Sequence, residues 1–299
     1  MRVVLLITAT LAAIVGLSAA GFQTRDSGKH PEASSAYLGF DRNDYPGDAN
    51  LKALRETFSY SGYWLNNPPG SKTNSWTGKR KALQSAGFGF LVLFNGRTDS
   101  EIKAAEIKAA KDATQLGESD ADAAISAARA EGFPPHTVIF LDQEQGGRLL
   151  PEQRTYLHAW VDRIDAAHFD AGVYCSGIAA KEGSGASVVT AEDIRQNAGR
   201  RKIKFWVVND SCPPSPGCAV SRKDLSQELA PESSGIAFAE VWQYAQSPRR
   251  SHFAAACGNY NGTNDKDQNC YAPGLDPAQH LHLDLDVATS SDPSDGRNR

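Results

Sequence analysis

The sequence predicts an α/β fold that consists of a single (β/α)8 TIM-type barrel. The barrel need not be regular. Eight short apolar segments recur along the 299 residues, and helices or long loops separate them, an alternation typical of a parallel sheet. Eight such units in about 250 residues match the size of this barrel. An open, doubly wound sheet is the alternative, although no Gly-x-Gly-x-x-Gly turn supports a dinucleotide or phosphate site. The segments are 36–41, 60–65, 88–94, 137–142, 171–175, 203–208, 238–244 and 281–287.

The ends of the chain differ in composition from this central region. Residues 1–20 combine Arg2, an apolar run and the small residues Ser18-Ala19-Ala20, a pattern typical of a cleaved secretory signal peptide. An uncleaved membrane anchor is the alternative, but the run is barely long enough to span a bilayer. We therefore expect a secreted or periplasmic protein with no stable membrane span after cleavage. The predicted domains are the signal, a flexible leader at 21–35, the barrel at 36–290 and a disordered tail at 291–299.

Apolar spacing and helix-start signals predict helices between the strands. Pro151 opens a clear amphipathic helix, and Thr190 to Asp193 has capping-box spacing before another. A tandem Glu-Ile-Lys-Ala-Ala pentad does not match 3.6 residues per turn, so it indicates local helix and not a coiled coil. Gly117 is expected to divide the surrounding stretch into two helices. The predicted helical ranges are 48–58, 77–85, 99–131, 151–168, a helix from 190 and a short one at 222–229.

The five cysteines are typical of an exported protein. Cys212 and Cys218 bracket a short turn-rich loop, and Cys257 and Cys270 bracket a Gly/Asn/Asp loop, so we expect one disulfide in each. Cys175 follows an apolar strand and is expected to be the odd thiol. Zinc is the rival ligand, but the sequence has no paired Cys-x-x-Cys spacing. We expect no metal and no cofactor. The net charge of −4 also argues against a nucleic-acid partner.

The segment 137–144 places two carboxylates at the end of its apolar run. Asp142 and Glu144 are spaced i, i+2, so on a strand they point the same way. Their repulsion would raise the pKa of at least one, which is useful for acid/base chemistry. A strand that simply ends in two solvated acids is the alternative.

In the predicted barrel, polar residues at the strand ends share one rim, where enzymes of this architecture act. Acids flanked by aromatic rings and amides suit a carbohydrate site, and glycosidic cleavage needs a protonated carboxyl beside a stabilising group. Glu144 would be the general acid, and repulsion from the Asp142 charge would keep the proton on Glu144. Asp41 and Asp284 would complete the catalytic group. The predicted substrate-binding residues are Tyr63, Trp64, Asn95, Tyr174, Trp206, Asn209, Trp242, Gln243, Tyr244 and Asp286.

Several short motifs resemble glycoside hydrolase family 25, the muramidase-type lysozymes, and more closely the related glycoside-hydrolase-like domain of unknown function family 1906. They are Gly39-Phe-Asp41, Asp120-Ala-Asp-Ala-Ala, Asp142-x-Glu144, Gly172-Val-Tyr174, Trp242-Gln-Tyr244 and Leu283-Asp284-Leu-Asp286. The resemblance covers residues 36–290. It implies a (β/α)8-type barrel, a peptidoglycan or related amino-sugar glycan as substrate, and Glu144 as the acid. Asp286 departs from the lysozyme pattern, which more often has Asn there.

Three functions follow from these residues as hypotheses. The first is a secreted muramidase-type glycosidase. The second is a catalytically inactive glycan-binding or cell-envelope protein that uses the same cleft. The third is a divalent-metal hydrolase, because clustered Asp and Glu also suit Mg²⁺ or Ca²⁺.

Overall fold

A computed structural model describes residues 36–109, 111–183, 185–209, 230–246, 281 and 283–297. These residues belong to one compact unit that spans 35–299. The predicted signal peptide, the leader, the helix at 222–229 and the cysteines at 212, 218, 257 and 270 lie outside the described residues. Cys175 is buried and free, as predicted. No helix in the described ranges is both long and apolar enough to cross a membrane.

Eight strands close into one barrel, which confirms the predicted fold class. Each strand overlaps one predicted apolar segment. Most strand ends differ from the predicted ends by one to three residues. Around the barrel the strands follow the order β1-β10-β9-β8-β5-β4-β3-β2. They are β1 (Tyr37–Asp41), β2 (Tyr60–Trp64), β3 (Gly89–Asn95), β4 (Val138–Asp142), β5 (Asp170–Ser176), β8 (Lys204–Val208), β9 (Val241–Ala245) and β10 (Asp284–Ala288).

The last strand departs from the parallel sheet that the alternation predicts. β10 runs antiparallel to both of its neighbours, β1 and β9, whereas the other seven strands are mutually parallel. The chain leaves β9 at the carboxyl-end rim of the barrel and enters β10 at the same rim, where Leu285 pairs with Ala245. Reversal of the strand therefore places its first residue, Asp284, directly opposite Asp41.

Helices cover the outside of the barrel. The break after α3 falls before Asp112, whose side chain caps α4 in a capping box with Gln115. Gly117 lies inside α4, so the prediction that it divides two helices is wrong. A Cβ atom at Gly117 would collide with the Tyr156 carbonyl, and glycine thus allows α4 and α5 to approach closely. The helices are α1 (Leu51–Arg55), α2 (Arg80–Ser85), α3 (Asp99–Ala109), α4 (Ala113–Glu131), α5 (Pro151–Ala166) and α6 (Thr190–Asn197), with 3₁₀ turns at Asp48–Asn50 and Pro231–Ser234.

A short hairpin that the sequence analysis missed precedes α6. Its strands, β6 (Ala179–Lys181) and β7 (Ser187–Val189), pair antiparallel beside the barrel sheet. The helix at Thr190 begins where predicted, but the Thr190 hydroxyl donates to the Gly147 carbonyl and does not cap the helix. The capping-box interpretation is therefore wrong, since the Thr190 side chain contacts a distant loop instead.

The carboxy-terminal residues pack against the amino-terminal end of the barrel. Ser294 is fully buried, its hydroxyl accepts a hydrogen bond from the Val92 backbone N–H at 2.8 Å, and its carbonyl accepts one from Val138. The Arg80 guanidinium donates to the Gly296 carbonyl at 2.7 Å. The expected disordered tail is thus wrong for residues 291–297, because they satisfy backbone groups at the starts of β3 and β4.

Candidate functional site

A cleft of about 70 Å³ opens at the carboxyl-end rim of the barrel. It brings together all four predicted catalytic acids and four of the predicted substrate-binding residues. The cleft is lined by Asp41, Asn43, Trp64, Pro69, Leu93, Asp142, Glu144, Tyr174, Trp206, Gln243, Gln246 and Asp284. The rim predicted from the strand ends is therefore a real concavity that combines acids, amides and aromatic rings.

A wider groove of about 200 Å³ adjoins the cleft and shares Asp142 and Glu144 with it. Asn95, another predicted substrate-binding residue, lines this groove together with residues of the loop that follows β3 and the start of α3. Arg97 is held there by Asp120, whose carboxylate accepts from the Arg97 guanidinium through two hydrogen bonds. The two carboxyl groups of Asp142 and Glu144 therefore lie where cleft and groove meet.

Asp142 lies on the floor of the cleft, at the end of β4. It is only 5% exposed, and its Oδ1 atom has no hydrogen-bond partner among the described residues. Burial raises the pKa of Asp142 well above its ordinary value, and the charges of Glu144 and Asp41 raise it further. Asp142 is thus a buried carboxyl group whose neutral form is favoured by its surroundings.

Glu144, two residues later, lies beyond the strand and is exposed. Partial desolvation of its carboxyl group raises its pKa, and the second cause is the charge of Glu101. The expected repulsion between Asp142 and Glu144 therefore exists, but it acts mainly on Asp142. Glu101 supports the proton on Glu144 instead. It lies in the first turn of α3, where its carboxylate accepts from Thr98.

Asp41 lies at the end of β1 and is the centre of a hydrogen-bond network. Gln243 Nε2 donates to Asp41 Oδ2 at 2.8 Å, and the Tyr174 hydroxyl donates to Gln243 Oε1 at 2.8 Å. Gly62 makes room for this carboxylate, since a Cβ atom there would lie 2.6 Å from the Cβ of Asp41. Burial raises the pKa of Asp41 to about 6, while hydrogen bonds from Gln243 and Asp286 limit the rise.

Asp286 lies one pleat deeper than Asp284 on β10. It is fully buried, and Trp206 Nε1 donates to its Oδ1 atom at 3.0 Å. Burial and the charge of Asp41 raise the pKa of Asp286 well above its ordinary value. A substrate cannot reach this side chain, so the prediction that Asp286 binds substrate directly is wrong.

Four other predicted substrate-binding residues do not line the cleft. Tyr63 packs on the helix side of β2, where its hydroxyl hydrogen-bonds to Glu131 and to the Trp76 carbonyl. Trp242 is buried and donates to the Asn209 carbonyl, while the Asn209 amide donates to Ser234. Tyr244 is buried against the Trp242 ring. Successive residues of a strand point to opposite faces, and both faces of these strands are apolar.

Several residues of the site were missed from the sequence. Glu101, Thr98 and Gln145 line the groove, and Asn43, Pro69 and Gln246 line the cleft. Their common signal is position, because each lies in the segment that follows a barrel strand, where barrel enzymes carry their sites. No group of three or more His, Cys, Asp or Glu side chains is arranged to hold a metal ion within the described ranges.

Comparisons with known proteins extend these observations. A comparison with curated proteins finds no match. Among solved structures, an uncharacterised protein from B. stearothermophilus is 17% identical, with 84% of this chain and 95% of that chain covered and a TM-score of 0.48. The Tat-secreted protein Rv2525c of Mycobacterium tuberculosis is 12% identical, with 88% and 98% covered and a TM-score of 0.47. A family 25 glycosyl hydrolase from Bacillus anthracis is 10% identical, with 84% and 88% covered and a TM-score of 0.46.

A family model gives the identification. The model described as Rv2525c-like, glycoside hydrolase-like domain matches residues 60–212, which is slightly more than half of the 299 residues. The matched range contains β2 to β8, including Asp142 and Glu144. The chain therefore belongs to the family of Rv2525c-like, glycoside hydrolase-like domains.

Proposed function

We propose that this protein is a secreted glycoside hydrolase that cleaves peptidoglycan or a related amino-sugar glycan. The observation that carries the proposal is the meeting of Asp142 and Glu144 where the cleft joins the groove. There the exposed Glu144, whose pKa is raised, lies beside the buried Asp142, and Asp41 lines the same cleft. Membership of a glycoside hydrolase-like family and the motifs shared with muramidase-type lysozymes support the same class of substrate.

In the proposed mechanism Glu144 is the general acid. Its exposed position lets it reach a glycosidic oxygen bound between cleft and groove, and Glu101 helps it to keep a proton. Asp142 retains a proton on the floor of the cleft and donates it in a hydrogen bond to a substrate amide or a water molecule. Asp41 and Asp284 supply negative charge that stabilises an oxocarbenium-like centre. Trp64 and Tyr174, which line the cleft, supply aromatic surface for a sugar ring.

The test is release of reducing ends from peptidoglycan and from a chitooligosaccharide. Glu144→Gln should lower the rate by about a hundredfold or more, the usual contribution of a general acid. Glu118→Gln is the matched control, because Glu118 is exposed on α4 and lines neither cleft nor groove. Thermal melts should show that both variants are folded. Equal activity of Glu144→Gln and the wild type would refute the assignment.

The second candidate is a glycan-binding protein without turnover. One observation favours it, namely that burial raises the pKa of Asp142 well above its ordinary value whereas Glu144 is exposed. The carboxyl group that burial shields most strongly is thus Asp142 and not Glu144, the proposed general acid. This candidate predicts saturable binding of the same glycans with no reducing ends. Product formation that depends on Glu144 would exclude it.

A further inference from the structure

Beneath the cleft, two buried carboxyl groups on adjacent strands are close neighbours. Asp41 on β1 and Asp286 on β10 form this pair. Trp206 Nε1 donates a hydrogen bond to Asp286 Oδ1. No N–H or O–H group of the described residues donates to Asp286 Oδ2. Two buried carboxyl groups that lie this close repel each other when both are ionised, so the pair is most stable when it holds one proton.

The surrounding donors decide which carboxyl group carries that proton. The Gln243 amide is oriented, because its Oε1 atom accepts from the Tyr174 hydroxyl at 2.8 Å and from Gln246 at 3.2 Å. Its Nε2 group therefore points to Asp41. Hydrogen bonds donated by an amide stabilise the ionised form of a carboxyl group. Asp286 also accepts one N–H donor, from Trp206, but it is fully buried, whereas Asp41 reaches the cleft; Asp41 is therefore the better place for the negative charge.

We infer that Asp286 is a positioning residue that keeps the proton, donates it in a hydrogen bond to Asp41, and so holds Asp41 as the carboxylate that faces the cleft. This inference rests on the proposed function, in which Asp41 stabilises positive charge. It also replaces the direct substrate contact expected for Asp286 with an action through its neighbour.

The groups around Asp286 favour its protonated form, which is the form that can donate a hydrogen bond to Asp41. Asp41 faces it from β1, Tyr60 from β2, Tyr174 from β5 and Trp206 from β8, with Asp284 on its own strand. The tyrosine hydroxyls are neutral because burial raises their pKa. A second ionised carboxylate at this depth would repel Asp41. Ionisation of Asp286 as the pH rises should thus break the pair, disturb Asp41 and lower the activity.

Two variants separate positioning from simple packing. Asp286→Asn keeps both roles, since its amide can donate to Asp41 while its oxygen accepts from Trp206. Asp286→Leu has a similar branched shape, is bulkier and keeps neither role, so thermal melts accompany it to show that it is folded. In titrations followed by ¹³C NMR of the side-chain carboxyl groups, the wild type should show Asp286 protonated at a pH where Asp41 is ionised. The Leu variant should show a higher pKa for Asp41, because one donor is lost.

Activity on the chitooligosaccharide supplies the second measurement. Asp286→Asn should retain most of the activity, and its activity should no longer fall as the pH rises. Asp286→Leu should be about tenfold to a hundredfold slower, the effect of one lost hydrogen bond to a charge. An ionised Asp286 beside a protonated Asp41, or equal losses in the Asn and Leu variants, would overturn the inference. If no variant turns over any glycan, the titration still locates the proton, and only the proposed function fails.

Discussion

Asp142 lies buried on the floor of the cleft while Glu144, two residues later, is exposed at its edge. The end of β4 separates them, because Asp142 is the last residue of the strand and Glu144 belongs to the following loop. One motif therefore supplies two carboxyl groups with different access to water. Different environments are what allow two carboxyl groups to take different roles in one site.

Asp142→Asn should make stability less dependent on pH. The pKa of Asp142 is raised in the folded protein from its ordinary value of 3.8, so its contribution to stability is complete below that value and is lost as pH rises towards the folded-state pKa. The Asn variant has no titratable proton at this position, so it shows no such loss of stability with rising pH. The melting temperature of Asp142→Asn relative to the wild type should therefore increase as the pH rises above about 4. Asp165→Asn, at an exposed position of α5, gives the baseline. A difference that stays constant or shrinks with rising pH would contradict the placement of this proton.

Tyr63 and Trp64 are neighbours in sequence with opposite expected effects. Trp64 lines the cleft, so Trp64→Phe should weaken glycan binding by at least about fivefold, a typical loss for a truncated aromatic anchor. Tyr63→Phe should leave binding unchanged and lower the free energy of unfolding by about 1–3 kcal/mol, because its hydroxyl bonds to Glu131 and Trp76 are lost. Isothermal titration calorimetry and urea unfolding measure the two effects. Equal effects of both substitutions on binding would show that the faces of β2 are wrongly assigned.

Ser294→Ala should destabilise the barrel although it lies five residues from the end of the chain. The substitution removes the acceptor of the buried Val92 N–H group, which costs about 1–3 kcal/mol. Ser126→Ala, at an exposed position of α4, should change the free energy of unfolding by less than about 0.5 kcal/mol. Urea unfolding of both variants gives the comparison. If the two serine variants unfold at the same urea concentration, the tail is not part of the barrel's stability.

The architecture could be predicted because each barrel strand is a short apolar run. Strands that are buried on both faces, such as Val138–Asp142, have this property whatever their direction in the sheet. For the same reason the reversal of β10 was not predictable, since an antiparallel strand buried on both faces gives a similar apolar run. The assignment of Asp284 to the rim holds only because that reversal moves the start of the strand to the carboxyl-end rim.

The site was predicted as far as position along a strand determines it. Asp41 and Asp142 end their strands and do line the cleft, and so does Gln243 from the middle of β9. The assignments of Tyr63 and Trp242 failed because the sequence cannot tell the inner from the outer face of a strand that is apolar on both. Glu101 and Ser294 were missed because their partners are distant in sequence, and only the folded chain brings them together.

The reversed strand β10 also has a consequence for biosynthesis. Domains fold during synthesis from the amino terminus onwards, and β10 is the strand that joins β9 to β1. The ring of strands therefore cannot be completed until Asp284–Ala288 has left the ribosome. Asp41 is made early and meets its carboxyl partner Asp286 only at that last step. A nascent or truncated chain should thus lack the finished charge arrangement even when most of its strands have formed, so the same event completes both the barrel and the site.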